Sequence, residues 1–175
     1  EFKALVKKYG EELVHGPMLG CVTDSGAKFW VRTANEAAVQ VLVSASKDME
    51  SPVKSDTAKT SKDRDYTAVV GVGDLKPDTR YYYKLLIDGK EQPGARSFRT
   101  FPAAGSKANF QIGFGGGAGY TPQHERMWNT IASHNLTAFL FLGDNVYIDH
   151  PTQRAVQQYC YYRRQSRPEF RAFIS

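Results

Sequence analysis

Asp144 and Tyr147 stand close together in FLFLGDNVYIDHP, residues 139–151, directly after four large apolar side chains and a glycine. A carboxylate and a phenol are oxygen donors of the kind that metal ions accept. A carboxylate at the end of a buried strand is costly unless a cation or hydrogen bonds compensate it. A metal ion is the simplest partner for Asp144; the alternative is a carboxylate that caps the next helix or closes a turn. Asn145 is placed either to hydrogen-bond water held at such a site or to act as a turn amide. Asp149 and His150 precede a helix and read as capping and turn residues. His124 and His134 do not share a helical face and read as surface residues.

The elements around this stretch must position it. EFKALVKKYGEEL has helical spacing of Phe2, Leu5, Val6, Tyr9 and Leu13, which predicts an amphipathic helix over 1–14. The period then changes. AKFWVRT, AVQVLVSAS, DYTAVVGVGDL, RYYYKLLIDG and RSFRTF carry the strand signal, with TDSG and IDGKEQPG as turns. They predict an antiparallel sandwich over 15–103. After the small-residue linker PAAGSKAN, the chain reads strand, helix, strand, helix over 108–175. The strands are NFQIGFG and TAFLFLGD, the second apolar on both faces as in a parallel sheet. Pro122 can start and Asn135 end the first helix; Thr152 is a candidate cap for the second. Two parallel strands with two helices cannot bury both faces of a sheet. The α/β domain is therefore expected to be completed by further chain. In such sheets ligands bind outside the carboxyl ends of the strands, where Asp144 falls.

Composition sets looser bounds. The 175 residues are 41% hydrophobic, which suits a packed globular protein, and no stretch is long enough to span a bilayer. The net charge is +5, and the basic residues of 151–175 are all arginine: Arg154, Arg163, Arg164, Arg167 and Arg171. These read as a solvated helix face, or one packed on further acidic protein, with attraction of phosphate as the alternative. QQYCYYRRQ interleaves aromatics with the arginines but matches no nucleic-acid module. Cys21 and Cys160 read as two buried free thiols.

Two motifs carry a family resemblance. DLKPDTRYYYKLLIDG, with Leu75, Pro77, Thr79, Tyr81 and Tyr83, resembles the E–F corner of the fibronectin type III domain, where a tyrosine hydrogen-bonds the backbone. GDNVY fits the pattern GDxxY at the end of a buried strand and resembles the metallophosphoesterase superfamily. Its GDxxY branches are the purple acid phosphatases and the PhoD-type alkaline phosphatases. HGPMLGCVTDSGAKFWVRT and YRRQSRPEFRAFIS favour the PhoD type. The resemblance covers most of the chain but only about the first third of the expected catalytic domain. It implies an α+β two-domain fold: a fibronectin-like sandwich, then the first βαβα of a metallophosphoesterase. It implies a metal-dependent phosphomonoesterase or phosphodiesterase working through a metal-bound hydroxide, with Fe(III) and Ca2+ as candidate ions. Asp144 would bridge two metals and Tyr147 would bind the ferric ion, for which a phenolate is well suited. The remaining ligands would come from beyond residue 175. An extracytoplasmic location is implied as well, with nucleic acid only as one candidate substrate.

The resemblance has a departure. Characterised-type PhoD enzymes end their first strand in a Cys ligand, and Gly117 stands there in GFGGGAGY. The ferric site thus lacks a first-strand side chain. Gly115, Gly116 and Gly117 could instead approach phosphate through a nest of backbone N–H groups, or form a tight turn. Two other classes compete. GFGGGA also fits a dinucleotide-binding fingerprint, although Tyr120, Thr121 and Pro122 separate it from the helix. A fibronectin-like partner-binding module with a decayed site is the other.

Overall fold

The computed structural model describes residues 11–94 and 96–175. They form two compact units, divided at Lys107 and Ala108. The helix expected over 1–14 lies largely outside the described residues; of the described part, Glu11 and Glu12 are in no element and Leu13 and Val14 belong to a strand.

The first unit is an antiparallel β-sandwich. One sheet has the order β1 (Leu13–Gly20), β2 (Ala27–Thr33), β6 (Thr67–Val72). The other is built on β3 (Ala38–Ser44) paired with β7 (Arg80–Ile87). The short strands β4 (Val53–Lys54) and β5 (Ala58–Lys59) pair with β3; β8 (Lys90–Glu91) and β9 (Arg96–Arg99) pair with β7. Alternation along β2 and β7 sends every second side chain inward. Phe29, Val31, Val39, Val41, Val43, Tyr83, Leu85 and Ile87 are the centre of the core. Phe29 packs on Tyr83 at 4.7 Å between ring centroids and edge-on to Phe98 at 5.8 Å. The corner before β7 closes as the tyrosine spacing implied: the Lys76 N–H donates to Tyr81 Oη over 2.8 Å. Thr100 Oγ1 fastens the same turn, donating to Lys76 O at 2.6 Å and accepting from Thr79 N at 2.9 Å.

Cys21 departs from expectation. It is exposed, in the turn after β1 at φ +48°, outside the alternating register that buries side chains; Cys160 is buried as expected.

The second unit starts with β10 (Ile112–Gly115), shorter than its sequence signal. A 3-10 turn at Pro122–His124 precedes α1 (Met127–Ala132), so the expected single helix is divided. Asn135, at φ +51°, ends that segment in a left-handed turn. The strand β11 (Ala138–Phe141) pairs parallel to β10, Gly113 against Phe139 and Gly115 against Phe141. Two helices follow, α2 (Arg154–Gln165) and α3 (Pro168–Ile174). Gln153, not Thr152, is the N-cap of α2, and its side chain makes no capping hydrogen bond. The last helix was not foreseen, although Phe170, Phe173 and Ile174 have helical spacing.

One face of this small sheet is covered. Phe141 meets Trp128 of α1 and Phe170 and Phe173 of α3, and Phe139 meets Phe173, with ring centroids 5.2–6.4 Å apart. Gly113 makes room for the Phe139 ring: a Cβ there would lie 2.8 Å from Phe139 Cδ2. The other face corrects the expectation of a strand buried on both sides. Ile112, Phe114, Leu140 and Leu142 are exposed, Phe114 by 70%, because no element of this unit packs over them.

Two tyrosines of β7 give opposite predictions. Tyr81→Phe removes the corner hydrogen bond and is expected to cost about 1 kcal/mol. Tyr83 Oη is buried and has no protein partner. Tyr83→Phe is therefore expected to be neutral or to stabilise by about 1 kcal/mol, both read from urea midpoints. Burial also pushes the Tyr83 phenol well above its ordinary value, against a smaller lowering by Arg96. A raised folded value favours the native state fully below the unfolded value of about 10, and that contribution is lost as pH climbs further. Tyr83→Phe should flatten this alkaline limb.

Candidate active site

Two loops leave the carboxyl ends of β10 and β11 side by side. Leu142 N donates to Gly115 O at 2.9 Å, and Gly117 N donates to Gly143 O at 3.3 Å. The approach is too close for a side chain at Gly116, where a Cβ would lie 2.9 Å from Gly143 O. Gly143 at φ +109° and Asp144 at φ +51° then reverse the chain. Left-handed aspartates also close turns at Asp65, Asp74, Asp78 and Asp88. The conformation of Asp144 is therefore ordinary turn chemistry in this protein.

Its partner sets it apart. Tyr147 Oη donates to Asp144 Oδ2 over 3.1 Å. That hydrogen bond, with some desolvation and the carboxylate charge, pushes the Tyr147 phenol above its ordinary value. Both residues are exposed, so the reasoning from a buried strand end does not hold: no burial penalty at Asp144 demands a cation. The geometry bears on the question instead. Two oxygens each about 2.1 Å from one small cation stand about 3 Å apart, close to the observed separation.

The residues present fit one edge of a coordination shell. Next in sequence, Asn145 Oδ1 is a buried acceptor without a protein partner. Among the described residues no three His, Cys, Asp or Glu side chains gather where they could hold an ion. Gly117, at φ +68°, faces the pair: a Cβ there would lie 3.9 Å from Tyr147 Oη. A side chain at this position would reach the site, and the glycine supplies none. Of the three glycines, Gly115 belongs to the β10–β11 ladder and Gly117 has its N–H on Gly143 O. Asp149 and His150 are exposed, and the His150 carbonyl accepts from Gln153 N in the turn before α2. His124 and His134 are exposed too. The glycines do not abut a helix N-terminus, since α1 starts only at Met127. That separates the loop from the dinucleotide-binding arrangement.

Sequence reasoning missed a buried group behind the loops. Glu125 and Arg164 are 0% and 4% exposed and form an ion pair at 2.9 Å. Trp128 Nε1 donates to the second Glu125 oxygen at 2.9 Å. The expectation of a solvated arginine face is thus corrected at Arg164, which turns inward to this carboxylate. Arg163 lies over the Tyr120 ring, 4.6 Å from its centroid. A charged residue on an otherwise amphipathic helix gives no local sign that its partner lies in a distant segment.

The comparisons with known proteins concern the fold. Residues 10–105 match a family model described as Domain of unknown function (DUF7800). No curated protein matches the chain. The structure of PhoD superposes with a TM-score of 0.76 at 16% identity, over 90% of this chain and 36% of that one. The fibronectin type III domain of human KIAA0970 protein is matched at TM-score 0.43 and 13% identity, over 62% of this chain and 85% of the domain. The sensor domain of the anti-sigma factor RsgI4 of Pseudobacteroides cellulosolvens is matched at TM-score 0.43 and 16% identity, over 53% and 76%. The fold is that of a fibronectin-like sandwich followed by the opening of an α/β domain, and the chain spans about a third of the length of PhoD.

The hydrogen bond makes a direct prediction. In Asp144→Ala the Tyr147 phenol should return to its ordinary value of about 10. Titration of its ring carbon by NMR checks this; an unchanged value would show that the carboxylate does not govern the phenol.

Proposed function

The chain belongs to the family described as Domain of unknown function (DUF7800) and shares the fold of PhoD, and we propose that the full-length protein is a metal-dependent phosphoric ester hydrolase. The observation that carries this reading is the Asp144–Tyr147 pair, 3.1 Å apart outside the carboxyl end of a parallel strand and facing a glycine turn. Asp144 and Tyr147 would hold the cations, Fe(III) with Ca2+ being the pair that the resemblance implies. Cations bound there would polarise phosphoryl oxygens and supply a nucleophilic oxygen from water.

The chain's own groups do the rest. Asn145, with its unpaired Oδ1, orients water beside the pair. The turn Gly115–Gly117 brings backbone rather than side chains to the site, leaving room for a phosphate group. Tyr147 must lose a proton to act as an anionic ligand, and Asp144 opposes that loss in the ion-free chain. Cation uptake through Tyr147 therefore releases a proton, and affinity rises with pH. Further ligands would come from the remainder of the catalytic domain, which would also cover Ile112, Phe114, Leu140 and Leu142. Monoesters and diesters, nucleic acid among them, are the candidate substrates. The location would be extracytoplasmic; no helix among the described residues is long and apolar enough to cross a membrane.

The test is hydrolysis by the full-length protein of nitrophenyl phosphate and its diester, with Fe(III) and Ca2+ supplied and after chelation. Activity is expected only with metal. Asp144→Asn is expected to lower it by at least about 10–100-fold, the loss that even outer-shell changes cause. Absence of hydrolysis with every metal, together with capture of a protein partner, would instead support a non-catalytic binding module. NAD binding without metal uptake would support a dinucleotide site.

A further inference from the structure

Arg164 lies behind the site, yet its guanidinium touches both loops that form it. Nη1 donates to Ala118 O at 2.5 Å and to Asn145 O at 2.6 Å. Ala118 directly follows Gly117, and Asn145 directly follows Asp144. Nη2 donates to Glu125 Oε1 at 2.9 Å, and Glu125 is held in turn by Trp128 Nε1. One planar group from α2 thus joins the end of the β10 loop, the end of the β11 loop and the segment leading into α1. The ladder and the Gly117–Gly143 hydrogen bond fix the loops only as far as Gly143. Beyond it, the Arg164 bonds to Asn145 O and Ala118 O tie the neighbourhood of Asp144 back to the glycine turn.

We propose that Arg164 is a positioning residue that sets the separation between the glycine turn and the Asp144–Tyr147 pair, with Glu125 as the counter-charge that keeps the guanidinium in place. Charge alone does not account for the arrangement. The ion pair uses Nη2, while the two loop carbonyls share Nη1, a division that needs the fixed fork of a guanidinium. A lysine could neutralise Glu125 but has one nitrogen on a flexible stem, and cannot reproduce the fork. The consequence for catalysis rests on the hydrolase reading; the consequence for the loops does not.

The test uses the full-length protein with two variants, Arg164→Lys and the double variant Arg164→Met/Glu125→Gln. The second leaves no unpaired buried charge, so it guards against simple failure to fold. Amide hydrogen exchange should quicken about tenfold or more in segments holding Gly117 and Leu142–Tyr147, and stay unchanged in β3 of the sandwich. If the protein hydrolyses phosphate esters, kcat/KM should fall about 100-fold in both variants, as expected for a misplaced site. Wild-type exchange at both loops in both variants would overturn the proposal, as would uniformly faster exchange throughout the second unit. Should the wild type hydrolyse nothing, the hydrolase reading fails while the exchange pattern still decides the role of Arg164.

Discussion

The parallel pairing of β10 with β11 is the constraint on which the site depends. Four residue pairs, Ile112–Ala138 to Gly115–Phe141, set the register. That register delivers Gly116 to Gly143, so close that a Cβ on Gly116 would lie 2.9 Å from Gly143 O. A slip of one residue would turn Phe139 and Phe141 away from Trp128, Phe170 and Phe173, and would carry Asp144 away from the glycine turn. The aromatic cluster on the covered face therefore holds the Asp144–Tyr147 pair at the sheet's end indirectly, through strand register.

The uncovered face follows from the same pairing. A parallel sheet is stable when both faces are packed. Here α1 and α3 supply aromatics to one face, and Ile112, Phe114, Leu140 and Leu142 are left exposed on the other. The sandwich contrasts with this. Its two sheets cover each other, and its core residues from Phe29 to Ile87 are almost wholly buried. The first unit is thus self-sufficient in packing, and the second exposes one apolar face.

Much of this was legible in the sequence where the information is local. The alternation in AKFWVRT and RYYYKLLI placed β2 and β7, and Leu75, Pro77, Thr79 and Tyr81 marked the corner that the Tyr81 hydroxyl closes. The spacing of Asp144 and Tyr147 likewise brought the two oxygens together within one turn. Non-local pairings were not legible. Glu125, before α1, and Arg164, in α2, are buried against each other, and nothing in QHERMW or YYRRQ marks them as partners. The exposure of Leu140 and Leu142 was hidden for the same reason: apolar character shows what a strand can bury, and the neighbours decide what it does bury. Cys21 illustrates the opposite error, since a turn at positive φ removed it from a pattern that would have buried it.

The pair of oxygens is the centre of the functional account, and metal content tests it most directly. Elemental analysis of the purified full-length protein, beside an Asp144→Asn/Tyr147→Phe variant that keeps its fold, should find transition metal or calcium bound in the first and lost from the second. Equal metal in both, or none in the wild type after growth with iron and calcium supplied, would contradict it.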